Sequence, residues 1–231
     1  MTKTFGKFSA LILMLAAMII PQRQPQAEMA ANAPNLYQFS RAANSGHLNS
    51  PVTQAELNTV IAKSKGALEF LDRFWGNVFS ASRQPFGRPG VKVMTSGQAF
   101  YNRQDHTIYL NPIFFVERMR AAAEQTHTDG DMAFIVILAH EYGHSVQRQL
   151  GLLGSDCMRV ELQADRMAGA FARAAQESRL VDPGDFDEAT YTFFTGRDQT
   201  DKYYQCAHGS GTQRVDAFHT GLKGGVKAAL Q

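Results

Sequence analysis

The chain has 231 residues, 44% hydrophobic and 19% charged, enough to bury a core in one domain or two small ones, which excludes a disordered chain. Its 23 Lys+Arg nearly cancel 21 Asp+Glu, and a net charge of +2 offers no basic surface for nucleic acid. Two cysteines are too few for a disulfide scaffold, and the absence of a glycine-rich phosphate loop argues against nucleotide chemistry.

Lys3 and Lys7 precede an apolar run from Phe8 to Ile20, which Pro21 ends. A basic start followed by a short apolar segment is the pattern of a secretory signal. As a helix the run rises only about 20 Å, short of a hydrocarbon core of roughly 30 Å. Cleaved export is therefore the first reading, and a membrane anchor through residues 8–20 is the second. Gln22 to Pro51, rich in Pro, Gln, Asn, Ala and Ser, reads as a linker. The expected division is a signal peptide or signal-anchor over 1–27, a linker over 28–52 and a folded domain over 53–231, periplasmic or extracellular. In an oxidising compartment Cys157 and Cys206 can pair, whereas two buried thiols are the simpler alternative.

Thr53 can cap a long helix from about Gln54 to Phe79, with Leu57, Ile61, Leu68, Leu71, Trp75 and Phe79 near one stripe. Gln84–Gly90 breaks it. Short β-rich segments at Val91–Met94 and Thr107–Leu110 predict two strands, and a third lies near Ala99–Tyr101. Pro112 suits the first turn of a helix reaching about Glu124. After the Thr126–Asp131 loop, where either aspartate could cap, comes a helix over about Asp131–Leu150. Its first half is apolar almost all round, as a helix at the centre of a domain is. Further helices are predicted over about Met158–Ser178, Asp185–Thr195 and Thr212–Leu222. The fold class is α+β, mostly helical, with a small sheet.

The central helix carries His140-Glu141-Tyr142-Gly143-His144. Residues four apart project from one helix face, so the two imidazoles can bind one zinc ion. Glu141, one step along, stands beside such an ion rather than on it and can accept a proton from a zinc-activated water. Polar residues directly after an apolar run would be costly in a core without a partner. A catalytic zinc site needs a third protein ligand and one open position. Glu161 and Asp165, four apart on the next helix, share a face. Glu161 can complete the ligand set, and Asp165 can hydrogen-bond a ligand imidazole and fix its tautomer. One Zn2+ per chain is expected.

These segments resemble the neutral zinc metallopeptidases of bacteria, a family of the thermolysin-like gluzincin group. The resemblance covers roughly residues 55–222 and rests on Ala99–Phe115, Leu138–Gln147, Glu161–Ala172 and His208–Phe218. It implies a zincin-like fold, peptide or protein substrates, His140, His144 and Glu161 as zinc ligands, and Glu141 as general base. Ser145, Asn102 and Arg166 depart from residues usual in the family, the last two from cysteines, which suggests a different disulfide arrangement. His208 is the candidate donor to the oxyanion, with Tyr203 and Tyr204 as alternatives. Arg214 could clamp a substrate carbonyl or, more simply, pair with Asp165. His47, His106, His127 and His219 lack ligand spacing and read as surface residues. A zinc-stabilised envelope scaffold without turnover is the competing reading, and a hydrolase of cell-wall peptide a third.

Overall fold

The computed structural model describes residues 50–196 and 208–231. The apolar run at 8–20, the linker as far as residue 49, His47, Tyr203, Tyr204 and Cys206 lie outside the described residues. Among the described residues no helix is long and apolar enough to cross a membrane.

The elements follow in the order α1 (Gln54–Ala81), β1 (Gly90–Val93), β2 (Phe100–Asn102), β3 (Thr107–Leu110), α2 (Pro112–Thr126), α3 (Asp131–Leu150), α4 (Cys157–Glu177), α5 (Asp185–Thr195) and α6 (Gly211–Ala229). Helix α1 starts at the expected Thr53, whose side chain accepts from the Glu56 amide while Glu56 accepts from the Thr53 amide. Its buried stripe runs through Val60, Ser64, Ala67, Leu71, Trp75 and Val78. Ile61, expected near that stripe, is instead 52% exposed, because Val60 takes the inward position. The sheet order is β1-β3-β2, with β1 parallel and β2 antiparallel to β3. Strand β2 is thus an edge strand, with Tyr101 opposite Ile108 and Phe100 stacked on Tyr109.

Helix α3 is the hub. It packs against α1, α2, α4, α5, β2 and β3, and Phe134, Val136, Leu138, Tyr142 and Val146 on it are fully buried. Neither aspartate caps it. Its N-cap is Gly130, and Asp129 and Asp131 are drawn off to Lys63. The cap comes from another element: the buried Glu188 of α5 accepts from the Gly130 amide at 2.9 Å and the Met132 amide at 2.8 Å.

Helix α6 runs past the predicted end at Leu222, with a break at Gly225, whose φ of 62° suits glycine. It lies almost backbone to backbone on α4. A Cβ on Gly169 would fall 2.0 Å from the Phe218 carbonyl oxygen, and one on Gly221 would fall 1.9 Å from that of Arg166. Gly221→Ala should therefore lower stability by about 1–3 kcal/mol, measured by urea unfolding, whereas a change at Gly66, with open space around it, should not act through packing.

The buried Arg120 ties α2 to the start of α1, bonding both Glu56 carboxylate oxygens and the carbonyls of Ser50 and Pro51. The guanidinium and the Thr53 contacts hold the Glu56 carboxyl down at about 2. A carboxyl lowered by folding stabilises the fold above its ordinary value of 4.5 and loses that contribution as pH falls to about 2. Glu56→Gln should lower the urea midpoint at pH 7, and the gap to the parent protein should close between pH 4.5 and pH 2.

Candidate metal centre

His140 and His144 stand one turn apart on α3, with Nε2 atoms 3.1 Å from each other. Glu161 comes from α4, and its Oε2 lies 3.1 Å from His140 Nε2 and 3.4 Å from His144 Nε2. What lets α4 come so near is Gly143, inside the motif: a Cβ there would already press on Ala164 and Met167 at 3.3 Å. Both imidazoles are fixed from behind. His140 Nδ1 faces Asp165 Oδ1 at 2.7 Å, and His144 Nδ1 donates to Gln147 Oε1 at 2.8 Å. Those contacts spend the ring N–H groups and leave the Nε2 lone pairs turned toward Glu161.

Three acceptors converging on one point, with no donor among them, call for a cation. Among the described residues Glu161 Oε2, which is buried, has no hydrogen-bond partner. Ligand atoms about 2.0–2.1 Å from a tetrahedral zinc lie about 3.3 Å from one another, which matches the three separations observed. His140, His144 and Glu161 can therefore hold a metal ion. The field agrees. Burial works against charge on His140, but Asp165, Glu161 and Glu141 override it and push its pKa well up. Burial likewise opposes charge on Glu161, yet the two imidazoles hold its carboxyl far below the carboxylate range. A pocket that holds positive charge this firmly suits a divalent cation in its place.

Asp165 is itself held. Arg214 Nε and Nη2 bond its two oxygens at 2.9 and 2.8 Å, and Arg214 Nη1 donates to the Gly196 carbonyl at 3.0 Å. Against the cost of burial, this guanidinium keeps the Asp165 carboxyl lowered. Arg214 is thus the ion-pair partner, anchored by α6, rather than a free clamp. Glu141 Oε2 accepts from the Tyr101 amide of strand β2 at 2.8 Å, and burial raises its carboxyl. His208 stands beside the trio, its Nε2 3.3 Å from Glu161 Oε2, and burial pushes its pKa down.

All six expected residues therefore come together: His140, Glu141, His144, Glu161 and His208 line one cleft of about 210 Å3, with Asp165 directly behind His140. Sequence reasoning missed Gln147, which bonds His144, the Val160 carbonyl and Gln163 at once, and it missed the Tyr101 amide. The only sequence signal for Gln147 is its place one turn beyond His144. Two other histidines are more engaged than surface residues. His106 contacts the Tyr101 hydroxyl at 2.7 Å and the Gly87 carbonyl at 3.1 Å, and the half-buried His219 meets Thr190, while His127 is exposed as expected. Cys157 is disulfide-bonded, and the chain's other cysteine, Cys206, lies outside the described residues.

The model of the family described as "Putative neutral zinc metallopeptidase" matches residues 3–231. The chain is similar to "Uncharacterized protein YpfJ" of Escherichia coli strain K12, at 28% identity over 189 residues, covering 67% of this chain and 64% of that protein. The protein of the same description in Escherichia coli O6:H1 matches equally. The chain thus matches less than two thirds of the length of these relatives. No solved structure matches it significantly.

Asp165→Asn should weaken zinc binding about 10- to 100-fold, measured by competition with a chromophoric chelator, because His140 loses the carboxylate that orients it. Glu161→Ala, which removes one of the three converging acceptors, should cost more than that.

Proposed function

From a chain that belongs to the family of putative neutral zinc metallopeptidases, we propose a zinc-dependent peptidase that hydrolyses peptide bonds, with His140, His144 and Glu161 as ligands and Glu141 as general base. The observation that carries this reading is the convergence of those three acceptors beside a second carboxylate, Glu141, that takes no part in the set. A structural site would close its fourth position and has no need of such a neighbour. When bound, Zn2+ supplies Lewis acidity that makes water a nucleophile near neutral pH and polarises the scissile carbonyl.

The chain's own residues do the rest. Glu141 takes the proton of the attacking water and returns it to the leaving amine. Its raised pKa suits both halves of that exchange. The Tyr101 amide holds the carboxylate in place through the transfer. Asp165, clamped by Arg214, keeps His140 in the tautomer that offers Nε2. His208, kept neutral by burial in the same cleft, would donate to the developing oxyanion. The basic and apolar start of the chain supports export, with substrates outside the cytoplasm.

A mixed peptide library incubated with the zinc-loaded protein should be cleaved. Glu141→Gln, at equal zinc content, should lower that cleavage about 100- to 10,000-fold. Full activity in Glu141→Gln would overturn the mechanism. Zinc bound in both proteins with no cleavage by either would instead favour a non-catalytic envelope protein.

A further inference from the structure

Three arginines line the cleft, and they differ in what they touch. Arg214 is neutralised by Asp165. Arg103 is exposed on the turn after β2. Arg118, on α2, is half-buried, and no carboxylate pairs with it among the described residues. Its Nε is buried without a hydrogen-bond partner among the described residues, and its guanidinium carbon lies 5.5 Å from the centroid of the Phe114 ring. The same side chain also lines a second groove with Thr95, Ser96, Gly97 and Gln98, so it stands where the cleft and that groove join. Glu117, the residue before it on α2, lines the groove as well but forms no ion pair with it.

A guanidinium that has given up part of its hydration without gaining an acid is under-compensated, and an anion entering beside it recovers that loss. The surroundings restrict the kind of anion. Phe114, Ile137 and Phe193 supply apolar wall in the cleft that Arg118 shares with His140, His144 and Glu161, so the occupant presents apolar groups as well as charge. Resting on the peptidase reading above, the geometry points to Arg118 as the specificity-determining residue for substrates that carry a carboxylate, taken up where the cleft meets the second groove. That carboxylate can come from an acidic side chain or from the C-terminus of the peptide. Arg118 binds it in either case and takes no part in the proton transfers.

The test uses the zinc-loaded full chain with Glu141→Gln, which binds without turnover, and three fluorescent peptides of one apolar sequence. One carries an internal Glu and an amidated end, one an internal Gln and a free C-terminal carboxylate, and one is neutral at both places. At least one carboxylate peptide should bind about tenfold more tightly than the neutral one, as a charged hydrogen-bonded pair warrants, and added salt should shrink the advantage. Arg118→Met and Arg118→Gln should reduce it to less than twofold while the neutral peptide binds as before, Arg118→Lys should keep part of it, and Arg103→Met should keep all of it. The peptide that gains says whether the cleft takes chain ends or acidic side chains. No advantage in the protein with Arg118 intact, or an advantage undiminished in Arg118→Met, would overturn the inference. Hydrolysis of the neutral peptide by the protein with Glu141 intact is scored separately, so failure of the peptidase reading is told apart from failure of this one.

Discussion

Two imidazole nitrogens of the helix at the core of the domain and a carboxylate oxygen of the helix packed on it, acceptors all, face one another at 3.1–3.4 Å. Left to themselves such groups would be among the most destabilising in the molecule, since burial without partners costs each of them its hydration. Much of the surrounding structure answers that constraint. Asp165 and Gln147 consume the outward N–H groups of the rings, Arg214 neutralises Asp165, and Gly196 and α6 hold Arg214. The chain from Gly196 through Arg214 and Asp165 to His140 is a single hydrogen-bonded line, and its far end opens on the cleft.

Close backbone approach makes that line short enough. Gly143 lets α4 press on α3, which brings Glu161 to the histidines, and Gly169 with Gly221 let α6 press on α4, which brings Arg214 to Asp165. Each of these glycines lies opposite backbone or a Cβ rather than a flexible side-chain end. Helix packing and site geometry are thus the same fact at two scales. A Cβ in the α3–α4 interface would press on the helix that carries Glu161, and one in the α4–α6 interface would force apart the helices that carry Asp165 and Arg214.

What the residues disclosed on their own was local and periodic. The boundaries of α3 at 131 and 150 follow from an apolar run closed by Gly151, and the i, i+4 spacings of His140 with His144 and of Glu161 with Asp165 survive because a helix enforces them. Contacts between elements distant in sequence had no such signature. Glu188 capping α3, Arg120 pinning α1, the Tyr101 amide on Glu141 and the place of Arg118 in the cleft all depend on which helix lies beside which, and no spacing encodes that. The continuation of α6 past Leu222 was hidden for a different reason: Gly224 and Gly225 look like a stop, yet Gly224 stays helical and Gly225 only breaks the helix before it resumes.

The central claim is that the three converging acceptors are a zinc site with one position open. X-ray absorption at the zinc edge, on protein carrying one equivalent of the metal, tests it most directly. The account predicts a first shell of nitrogen and oxygen alone, near 2.0–2.1 Å, with two imidazoles, and loss of one imidazole in His144→Ala. A sulfur shell, three imidazoles that close the site, or a spectrum unchanged in His144→Ala would contradict it.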